Sequence, residues 1–246
     1  MRIAAEKLRS YPVWDRTVRI FHWVNVFCVL VLIAIGTVIL NAKGLGVTND
    51  GKIILKTIHV YVGYVFAINL AWRIIWGFIG SRFARWKMAL PFGSEYKSQL
   101  KAYSDGLKNN KPVAFLGHNP IARLMVALLF LLMSLQAITG LVLAGTDVYM
   151  PPLGNTIKEW VATDATTVKL VQPYSKEGVN ADAYKEMRDV RKPFITTHYY
   201  VFFILLGSVI LHLIGVLVSE IRERNGLVSA MITGKKVFSD KPFDVE

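Results

Sequence analysis

Four apolar stretches dominate this chain of 246 residues, and each approaches or exceeds the roughly 20 residues that a membrane-spanning helix needs. They cover residues 18–40, 53–79, 121–144 and 194–221. Because lipid offers the backbone no hydrogen bonds, only helices or closed barrels can span it, and the alternating pattern of barrel strands is absent. The sequence therefore predicts an all-α fold, a four-helix integral membrane bundle forming one domain over residues 1–246.

The basic residues are unevenly distributed between the connecting segments. A net charge of +12 would indicate a nucleic-acid partner for a soluble protein, but here it is better interpreted as membrane topology. Residues 1–19, 80–120 and 222–246 carry 17 Lys and Arg, whereas residues 41–56 and 146–193 carry 10. The positive-inside rule then predicts cytoplasmic termini, a cytoplasmic tail, a long external loop and a multi-pass protein of the bacterial inner membrane.

Cys28 is the only cysteine, and it lies within the first apolar stretch. A single cysteine excludes disulfides within the chain and cysteine-based metal or iron–sulfur sites, and the absence of C-x-x-C-H excludes attached c-type haem. We expect Cys28 to be a small buried apolar residue. The first stretch is too long for a cleavable signal peptide and has no small-residue cleavage pattern, so we interpret it as a retained anchor.

Two histidines occupy one face of the fourth stretch. His198 and His212 are fourteen residues apart, close to four whole helical turns, which places them roughly 21 Å apart along the axis. In a hydrocarbon core about 30 Å thick, one ring then lies near each surface. Ionisable residues within a membrane are costly and typical of functional sites. The spacing predicts two cofactors stacked across the membrane.

The alternating helix direction gives each of these histidines a partner at its own depth. His59, early in the second helix, lies on the external side with His198, and His22, early in the first, lies on the cytoplasmic side with His212. Two axial histidines are typical of a low-spin b-type haem that transfers electrons and has no open position for substrate. We therefore predict two haem b groups, with His22–His212 and His59–His198 as iron ligands. The alternative is a polar bundle core or a proton relay.

Glycines on the same faces predict grooves for the porphyrin rings. Gly36 follows His22 by fourteen residues and Gly77 follows His59 by eighteen, so each shares its histidine's face at the level of the other haem. Gly63 lies one turn after His59 on the same face. The alternative interpretation is that these glycines only allow close helix packing.

Haem propionates are anionic and need cationic partners or water. Five basic residues near the helix ends are candidates: Arg16, Arg19 and Arg222 for the cytoplasmic haem, and Lys56 and Lys192 for the external haem. Long basic side chains also anchor helices at the membrane interface, which is the alternative for each of them. Anchoring explains Arg73 and Arg123 less well, because both lie nearer the hydrocarbon.

The motif Gly117-His118-Asn119-Pro120 opens the third helix. Proline suits the first turn of a helix and asparagine suits its cap. His118 has no histidine partner at its depth, so one interpretation is an interfacial cap. The other is a hydrogen-bonding or proton-delivery group at a quinone site, with Asn119 and Arg19 as further quinone candidates.

Three segments outside the apolar stretches also carry predictions. Residues 93–107 are predicted as a short interfacial helix and residues 150–161 as an amphipathic surface helix. Loops as long as 146–193 are uncommon unless they are functional or disordered, so we interpret this one as the docking surface for a redox partner.

Four motifs carry a resemblance to a known family: VWDRTVRIFHW at 13–23, HVYVGYVFAINLAWRIIWGFIGSRFARW at 59–86, GHNPIARLMV at 117–126 and HLIGVLVSEIRERNGLVSAMITG at 212–234. The chain resembles, over nearly its whole length, the membrane cytochrome b subunit of respiratory nickel–iron hydrogenases, within the bacterial dihaem cytochrome b561 group. The resemblance implies that the four histidines outside the GHNP motif bind haem. It also implies electron transfer from a periplasmic iron–sulfur or cytochrome subunit to quinone.

Two segments depart from that family. The fourth helix opens with THYYVFF instead of a segment rich in tryptophan and histidine, and the external loop VQPYSKEGVNADAYKEMRDVRKP is its own. Other readings are a dihaem cytochrome b561 serving a multihaem cytochrome c or a molybdoenzyme, a haem-free transporter or proton channel, and a structural anchor. As a cytochrome, the chain is the electron-transfer subunit of a quinone-linked oxidoreductase complex and does no chemistry on the upstream substrate.

Overall fold

The computed structural model describes residues 8–109 and 113–245 and consists mainly of helices. In chain order the described elements are β1 (Arg9–Pro12), α1 (Arg16–Leu40), α2 (Asn49–Ile79), α3 (Trp86–Ala89), α4 (Gly93–Lys108), α5 (Pro120–Val148), α6 (Gly154–Val161), α7 (Ala181–Glu223), α8 (Leu227–Thr233) and β2 (Lys235–Phe238). Two short 3₁₀ helices lie at Arg82–Ala84 and Val168–Leu170.

Four of these helices, α1, α2, α5 and α7, are long and apolar enough to cross a membrane. Many of their large apolar side chains point outward, among them Ile68 and Phe78, each 71% exposed. Exposed apolar surface of this extent is unfavourable in water and favourable against lipid. The multi-pass membrane character predicted from the four apolar stretches is therefore supported.

The fourth spanning helix is much longer than its apolar stretch predicted. α7 begins at Ala181 rather than near 194, where Asn180 Oδ1 accepts hydrogen bonds from the Asp182 and Ala183 amides at 3.0 and 3.1 Å. The first turns of α7 are polar, so a search for apolar runs missed them. Since α5 also continues to Val148, the predicted external loop at 146–193 is corrected to a segment over 149–180.

The prediction of a mainly helical fold is supported, and the structure adds one small antiparallel sheet that the sequence did not predict. β1 pairs with β2, with Arg9 opposite Phe238 and Pro12 opposite Lys235. Each strand has four residues, too few for a periodic signal, and its partner lies at the other end of the chain. Gly234, with φ +79°, makes the turn into β2, and its carbonyl accepts the Val13 amide at 2.8 Å.

Contacts divide the chain into two compact units. The tail unit comprises Met1–Trp23, Ala71–Leu131 and Leu205–Glu246, and the loop unit comprises Val24–Leu70 and Leu132–Ile204. A cluster in the tail unit buries side chains from both chain ends and from the segment after α2: Val13, Trp14, Val18, Phe83, Ala84, Leu116, Ala230 and Phe238.

Both predicted surface helices are present, as α4 and α6. In the loop unit, Ile157 and Val161 of α6 are buried together with Val171 and Met187. The segment between α5 and α7 is therefore folded onto the start of α7 through a small apolar core.

Candidate functional site

His59 from α2 and His198 from α7 face each other in the loop unit. Their ring centroids are 6.4 Å apart and the rings are inclined at 71°. Two imidazoles that bind one metal ion from opposite sides, each through a nitrogen bond of about 2.0 Å, have centroids roughly 6 Å apart. The separation of this histidine pair therefore fits the two axial ligands of one haem iron.

Two glycines leave space beside these rings. A Cβ atom on Gly36 would lie 3.4 Å from Cε1 of His59, and one on Gly140 would lie 3.4 Å from Cε1 of His198. A branched side chain at either position would press on a histidine ring. The sequence predicted Gly36 at the level of the His59–His198 haem. It did not predict Gly140, because α5 contains no histidine that would show which face of the helix Gly140 lies on. A Cβ on Gly63 would meet nothing within 4 Å.

Thr139 orients the His198 ring. Its Oγ1 lies 2.9 Å from His198 Nδ1 and donates to the Leu135 carbonyl at 2.7 Å. Because the threonine proton is used in that bond, we assign the proton between Thr139 and His198 to Nδ1, which leaves Nε2 free to bind a metal. Thr139 was missed at the sequence level, although a polar residue next to a glycine within an apolar helix is a usable signal.

A polar layer lies beside this pair in the loop unit. Lys56 Nζ donates to Asp147 Oδ2 at 2.7 Å, and the Arg191 guanidinium pairs with the other oxygen of Asp147. The side chains of these three residues are 16–20% exposed. Lys56 was among the predicted propionate partners. Its predicted companion Lys192 is exposed, and the neighbouring Arg191 joins the layer instead.

The polar layer lines a cavity of about 240 Å³, together with tyrosines from three segments. Tyr174 places its ring 5.3 Å from Lys56 Nζ, a cation–π contact. Two cations share one carboxylate, so the layer keeps an excess positive charge, and Arg191 Nε is buried without a hydrogen-bond partner among the described residues. The layer can accept a further anionic group.

His22 from α1 and His212 from α7 both belong to the tail unit. Trp23 packs edge-on against His22, with ring centroids 5.3 Å apart. Gly77 was predicted to line a groove at this level. A Cβ atom there would overlap the indole of Trp86, so the space beside Gly77 is filled by that side chain, and the predicted groove is corrected.

The candidate metal ligands of the described residues are pairs of histidines rather than larger clusters. Within residues 8–109 and 113–245, no three or more His, Cys, Asp and Glu side chains come together to hold a metal ion. A haem needs only two axial protein ligands, because the porphyrin supplies the remaining iron ligands. The paired arrangement therefore fits a haem.

The arginines predicted as propionate partners have different environments. Arg16 and Arg222 are exposed, and Arg19 donates to the carbonyl of Ile232 at the end of α8. The buried arginines are instead Arg73 and Arg123, which are 4% and 2% exposed. The two buried arginines, Arg73 and Arg123, are therefore the two that anchoring at the membrane interface explained least well.

Arg73, Arg123, Lys236 and His118 form a buried basic cluster in the tail unit. The three cations and His212 all act electrostatically on His118. Burial, reinforced by these positive charges, lowers the pKa of His118 to about 3, so its ring is neutral at physiological pH. His118 Nδ1 and one guanidinium nitrogen of each arginine are buried without a hydrogen-bond partner in the described part of the chain.

The C-terminal segment holds the loop that carries His118. The Asp244 carboxylate accepts hydrogen bonds from the Leu116 and Gly117 amides at 2.6 and 2.8 Å. Lys236 Nζ donates to the carbonyls of Phe115 and Gly117 at 3.3 and 3.1 Å. This loop is therefore fixed by both a carboxylate and an ammonium group.

Asn119 caps α5 as predicted, because its Oδ1 accepts the Ala122 amide at 2.8 Å. Its Nδ2 makes a long contact of 3.5 Å with Glu223 Oε1. The His118 ring packs on Trp14 with a centroid separation of 4.7 Å. Asn119 thus has a structural role, whereas His118 is held in place by packing and keeps a free ring nitrogen.

The chain is similar to a known family of membrane cytochromes. The family model for prokaryotic cytochrome b561 matches residues 13–234. A probable Ni/Fe-hydrogenase B-type cytochrome subunit from Rhizobium leguminosarum bv. viciae is 27% identical over 243 residues, covering 95% of this chain and 91% of the relative. A protein of the same name from Cupriavidus necator is 24% identical and covers 96% of this chain and 91% of the relative.

A third relative, from Escherichia coli (strain K12), is a probable Ni/Fe-hydrogenase 1 B-type cytochrome subunit. It is 31% identical over 156 residues, covering 58% of this chain and 64% of the relative. No solved structure matches the chain significantly. Because the family match extends over residues 13–234, this chain belongs to the prokaryotic cytochrome b561 family.

Proposed function

We propose that the chain is a dihaem b-type cytochrome that carries electrons across the bacterial inner membrane, between a periplasmic subunit of a hydrogenase and the quinone pool. The observation that carries this proposal is the opposed His59–His198 pair, with ring centroids 6.4 Å apart. Family membership supports b-type haem, and the similar proteins named as Ni/Fe-hydrogenase cytochrome subunits support the partner.

The first haem is held in the loop unit. His59 and His198 would bind its iron, and Gly36 and Gly140 give the space beside their rings. Thr139 keeps the proton on Nδ1 of His198, so that the liganding nitrogen stays available. The bound haem supplies the one-electron chemistry, and the chain fixes the ligands in place and surrounds them with apolar side chains.

The polar layer of Lys56, Asp147 and Arg191 suits a propionate of this haem. Lys56 precedes His59 by three residues and Arg191 precedes His198 by seven, so both lie towards the same helix ends as the cavity. The excess positive charge and the unpartnered Arg191 Nε favour a carboxylate there. These residues bind and orient the group, and no proton is transferred by them.

The second haem is held in the tail unit by His22 and His212. Its support is the position of His212, fourteen residues after His198 in the same helix, and the location of His22 in the same unit. His118 lies in the field of His212 and keeps a free ring nitrogen, which suits a group that hydrogen-bonds a quinone oxygen. We place the quinone site beside His118, with proton uptake from the cytoplasm.

The sidedness of the proposal follows from charge. The segments 1–19, 80–120 and 222–246 carry 17 Lys and Arg, against 10 in 41–56 and 146–193, which favours a cytoplasmic location for both chain ends. The segment 149–180, with α6, then faces the periplasm and offers a folded docking surface for the upstream subunit. The chain itself does no chemistry on the upstream substrate.

Visible spectroscopy of the purified protein tests this function. We expect a Soret band, a reduced α-band and two haem b per chain in a pyridine haemochrome assay. His59→Ala and His22→Ala should each remove one haem, whereas the control Arg9→Gln, a substitution at an exposed residue, should retain both. A purified wild-type protein without a Soret band would favour the haem-free transporter and end the cytochrome proposal.

The partner is tested separately by isolating the chain from native membranes in a mild detergent. Co-isolation with hydrogenase subunits is the expected result. Co-isolation with a multihaem cytochrome c or a molybdoenzyme would keep the dihaem function and replace the partner.

A further inference from the structure

The buried basic cluster of the tail unit contains cations that the described residues leave without a full set of partners. Arg73 is 4% exposed, and one of its nitrogens donates to the Ala84 carbonyl at 3.0 Å while Nη1 has no partner. Arg123 is 2% exposed, and its Nε makes a 3.4 Å contact with the His118 carbonyl while Nη2 has no partner. Buried charges without partners are unfavourable, so each unpartnered nitrogen calls for a ligand.

The carboxylates of the same unit act on the two arginines only from a distance, Asp15 on Arg73 and Asp244 and Glu95 on Arg123, and they accept their hydrogen bonds from other groups. Asp15 accepts from Trp76 Nε1 at 3.0 Å and from Ser81 Oγ at 2.6 Å. Asp244 accepts two backbone amides in the loop before α5, and Glu223 accepts from Asn225 at 2.9 Å. In the parts of the chain that the structure describes, neither buried arginine has a carboxylate within salt-bridge distance.

Aromatic rings hold the Arg73 guanidinium without satisfying its donors. Phe21, Trp86 and Phe130 lie 5.9, 5.1 and 5.5 Å from the guanidinium carbon. Rings at these distances stabilise the charge by cation–π attraction. The N–H groups of a guanidinium lie in its plane and need oxygen acceptors. The rings therefore fix the position of the cation and leave Nη1 free for a ligand.

The cluster lies near a proposed haem ligand, because the Arg73 guanidinium carbon is 5.9 Å from the ring of Phe21, the residue before His22. His118 feels the charges of Arg73, Arg123 and Lys236 and also that of His212. Its own Nδ1 is buried and unpartnered. An anionic oxygen placed here would accept hydrogen bonds from the free arginine nitrogens and offset the positive charge around His118.

We propose that Arg73 and Arg123, with His118 and Lys236, form a binding site for an anionic oxygen group next to the His22–His212 haem. Two groups share this chemistry: a propionate of that haem and the oxygen of a reduced quinone. The inference rests on the dihaem function proposed above, and it assigns ligand binding to two arginines in the membrane helices in place of the exposed Arg16 and Arg222.

The test uses Arg73→Gln and Arg123→Gln, made separately in the full chain, with Arg9→Gln as the matched control because Arg9 is an exposed arginine of the same unit. Three quantities are measured in detergent: haem b per chain, the midpoint potential of each haem, and the rate at which decylubiquinone reoxidises the dithionite-reduced protein. A wild-type protein with fewer than two haems would count against the dihaem function itself, before any variant is compared.

If the ligand is a propionate, the variants should lose the tail-unit haem or lower its midpoint potential, with an unchanged half-saturating decylubiquinone concentration. If the ligand is quinone, both haems and both potentials should stay as in wild type, and the half-saturating concentration should rise about tenfold or more. Either result supports the site. Variants that match Arg9→Gln in all three quantities would overturn it.

Arg73→Lys and Arg123→Lys keep the positive charge and lose the planar fork, so they should show a smaller shift of the same kind. The lysine variants provide the test if the glutamine variants do not accumulate in the membrane. Lysine variants with wild-type haem content, potentials and quinone kinetics would then show that the arginines only support the fold, and the proposal would fail.

Discussion

The two histidine pairs lie in units that differ in how their basic side chains are paired and buried. In the loop unit, Lys56 and Arg191 share the carboxylate of Asp147 at a partly exposed cavity. In the tail unit, Arg73 and Arg123 are almost fully buried and have no carboxylate within salt-bridge distance among the described residues. A cation that is paired and near water costs little, whereas a buried cation without a partner is costly. The two units therefore differ in whether their buried arginines have a carboxylate partner, and the proposed anion site accounts for the two that do not.

The glycines of the two units also differ in what lies beside them. Gly140 faces the ring of His198, whereas Gly77 faces the indole of Trp86. Gly140 leaves space beside a histidine ring, and Gly77 allows a tryptophan to pack closely on a helix. The two glycines therefore have different roles, which substitution can separate.

The largest effect is expected from Gly140→Val. The added methyl groups would press on His198, whose Cε1 already lies 3.4 Å from a Cβ at this position, so the loop-unit haem should be lost and the other retained. Haem b per chain should fall from two to one in a pyridine haemochrome assay. Gly44→Ala, at a position with ordinary contacts only, is the control.

Gly77→Ala sharpens the contrast. Because its Cβ would overlap the Trp86 ring, the expected result is less folded protein in the membrane, with two haems in the fraction that folds. A selective loss of the tail-unit haem in Gly77→Ala would contradict the packing role assigned here and restore the groove predicted from the sequence.

Thr139→Val is expected to weaken the loop-unit site next. The substitution removes the oxygen that accepts the His198 Nδ1 proton, and loss of such an outer hydrogen bond typically costs about 10–100-fold in metal-site affinity. Haem loss to excess apomyoglobin, followed in the Soret region, measures the change. Thr139→Ser keeps the hydroxyl and should behave as wild type. Equal haem retention in the valine and serine variants would show that the bond does not support the ligand.

Much of this arrangement was predictable from the sequence because it depends on spacing within helices. Helix direction predicted that His59 and His198 lie close together, and Asn119 was recognisable as a cap. The burial of Arg73 was not predictable in this way. Its three aromatic neighbours come from α1, α5 and the segment after α2, and no periodic pattern in one helix shows that they meet.

The remaining differences also come from contacts between distant segments. The pairing of β1 with β2 joins four-residue strands from opposite ends of the chain, where local propensity is weak. The polar first turns of α7 form because α6 and Val171 pack beside Met187, a tertiary effect that hydropathy alone does not report. Thr139 and Gly140 gained meaning only when α5 was seen beside His198.

Asp147→Asn should make the loop unit resemble the tail unit. Lys56 and Arg191 would lose their shared anion, so the midpoint potential of the loop-unit haem should rise by about 60 mV or less, on a scale where 59 mV is tenfold for one electron. The three side chains are only partly exposed, so stability should fall by about 1–2 kcal/mol, between the values for exposed and buried pairs.

Redox titration and thermal unfolding in detergent measure these two changes. Asp189→Asn, an exposed substitution in the same unit, is the control for both. An unchanged midpoint potential of the loop-unit haem in Asp147→Asn would mean that the polar layer does not act on the haem. The difference in charge pairing between the two units would then have no effect on that haem.

The smallest effect is a pH dependence that arises from Lys236 in the tail unit. Burial lowers the pKa of Lys236 to about 8 in the folded chain, against an ordinary value of 10.5, and the nearby Glu223 and Asp244 only partly oppose the shift. Between pH 8 and 10.5 the unfolded chain binds more protons at this residue, so its contribution to stability rises with pH by at most about 1.4 kcal/mol per unit. Below pH 8 both states hold the proton and the contribution is constant. Thermal unfolding in detergent at pH 7, 8 and 9 should show the rise only in the last interval, and Lys236→Met should reduce it.

A bound anion beside Lys236 would raise its pKa and move the rise to higher pH. A Lys236-dependent rise that stays between pH 8 and 9 in the haem-loaded protein would therefore count against a ligand in the buried basic cluster.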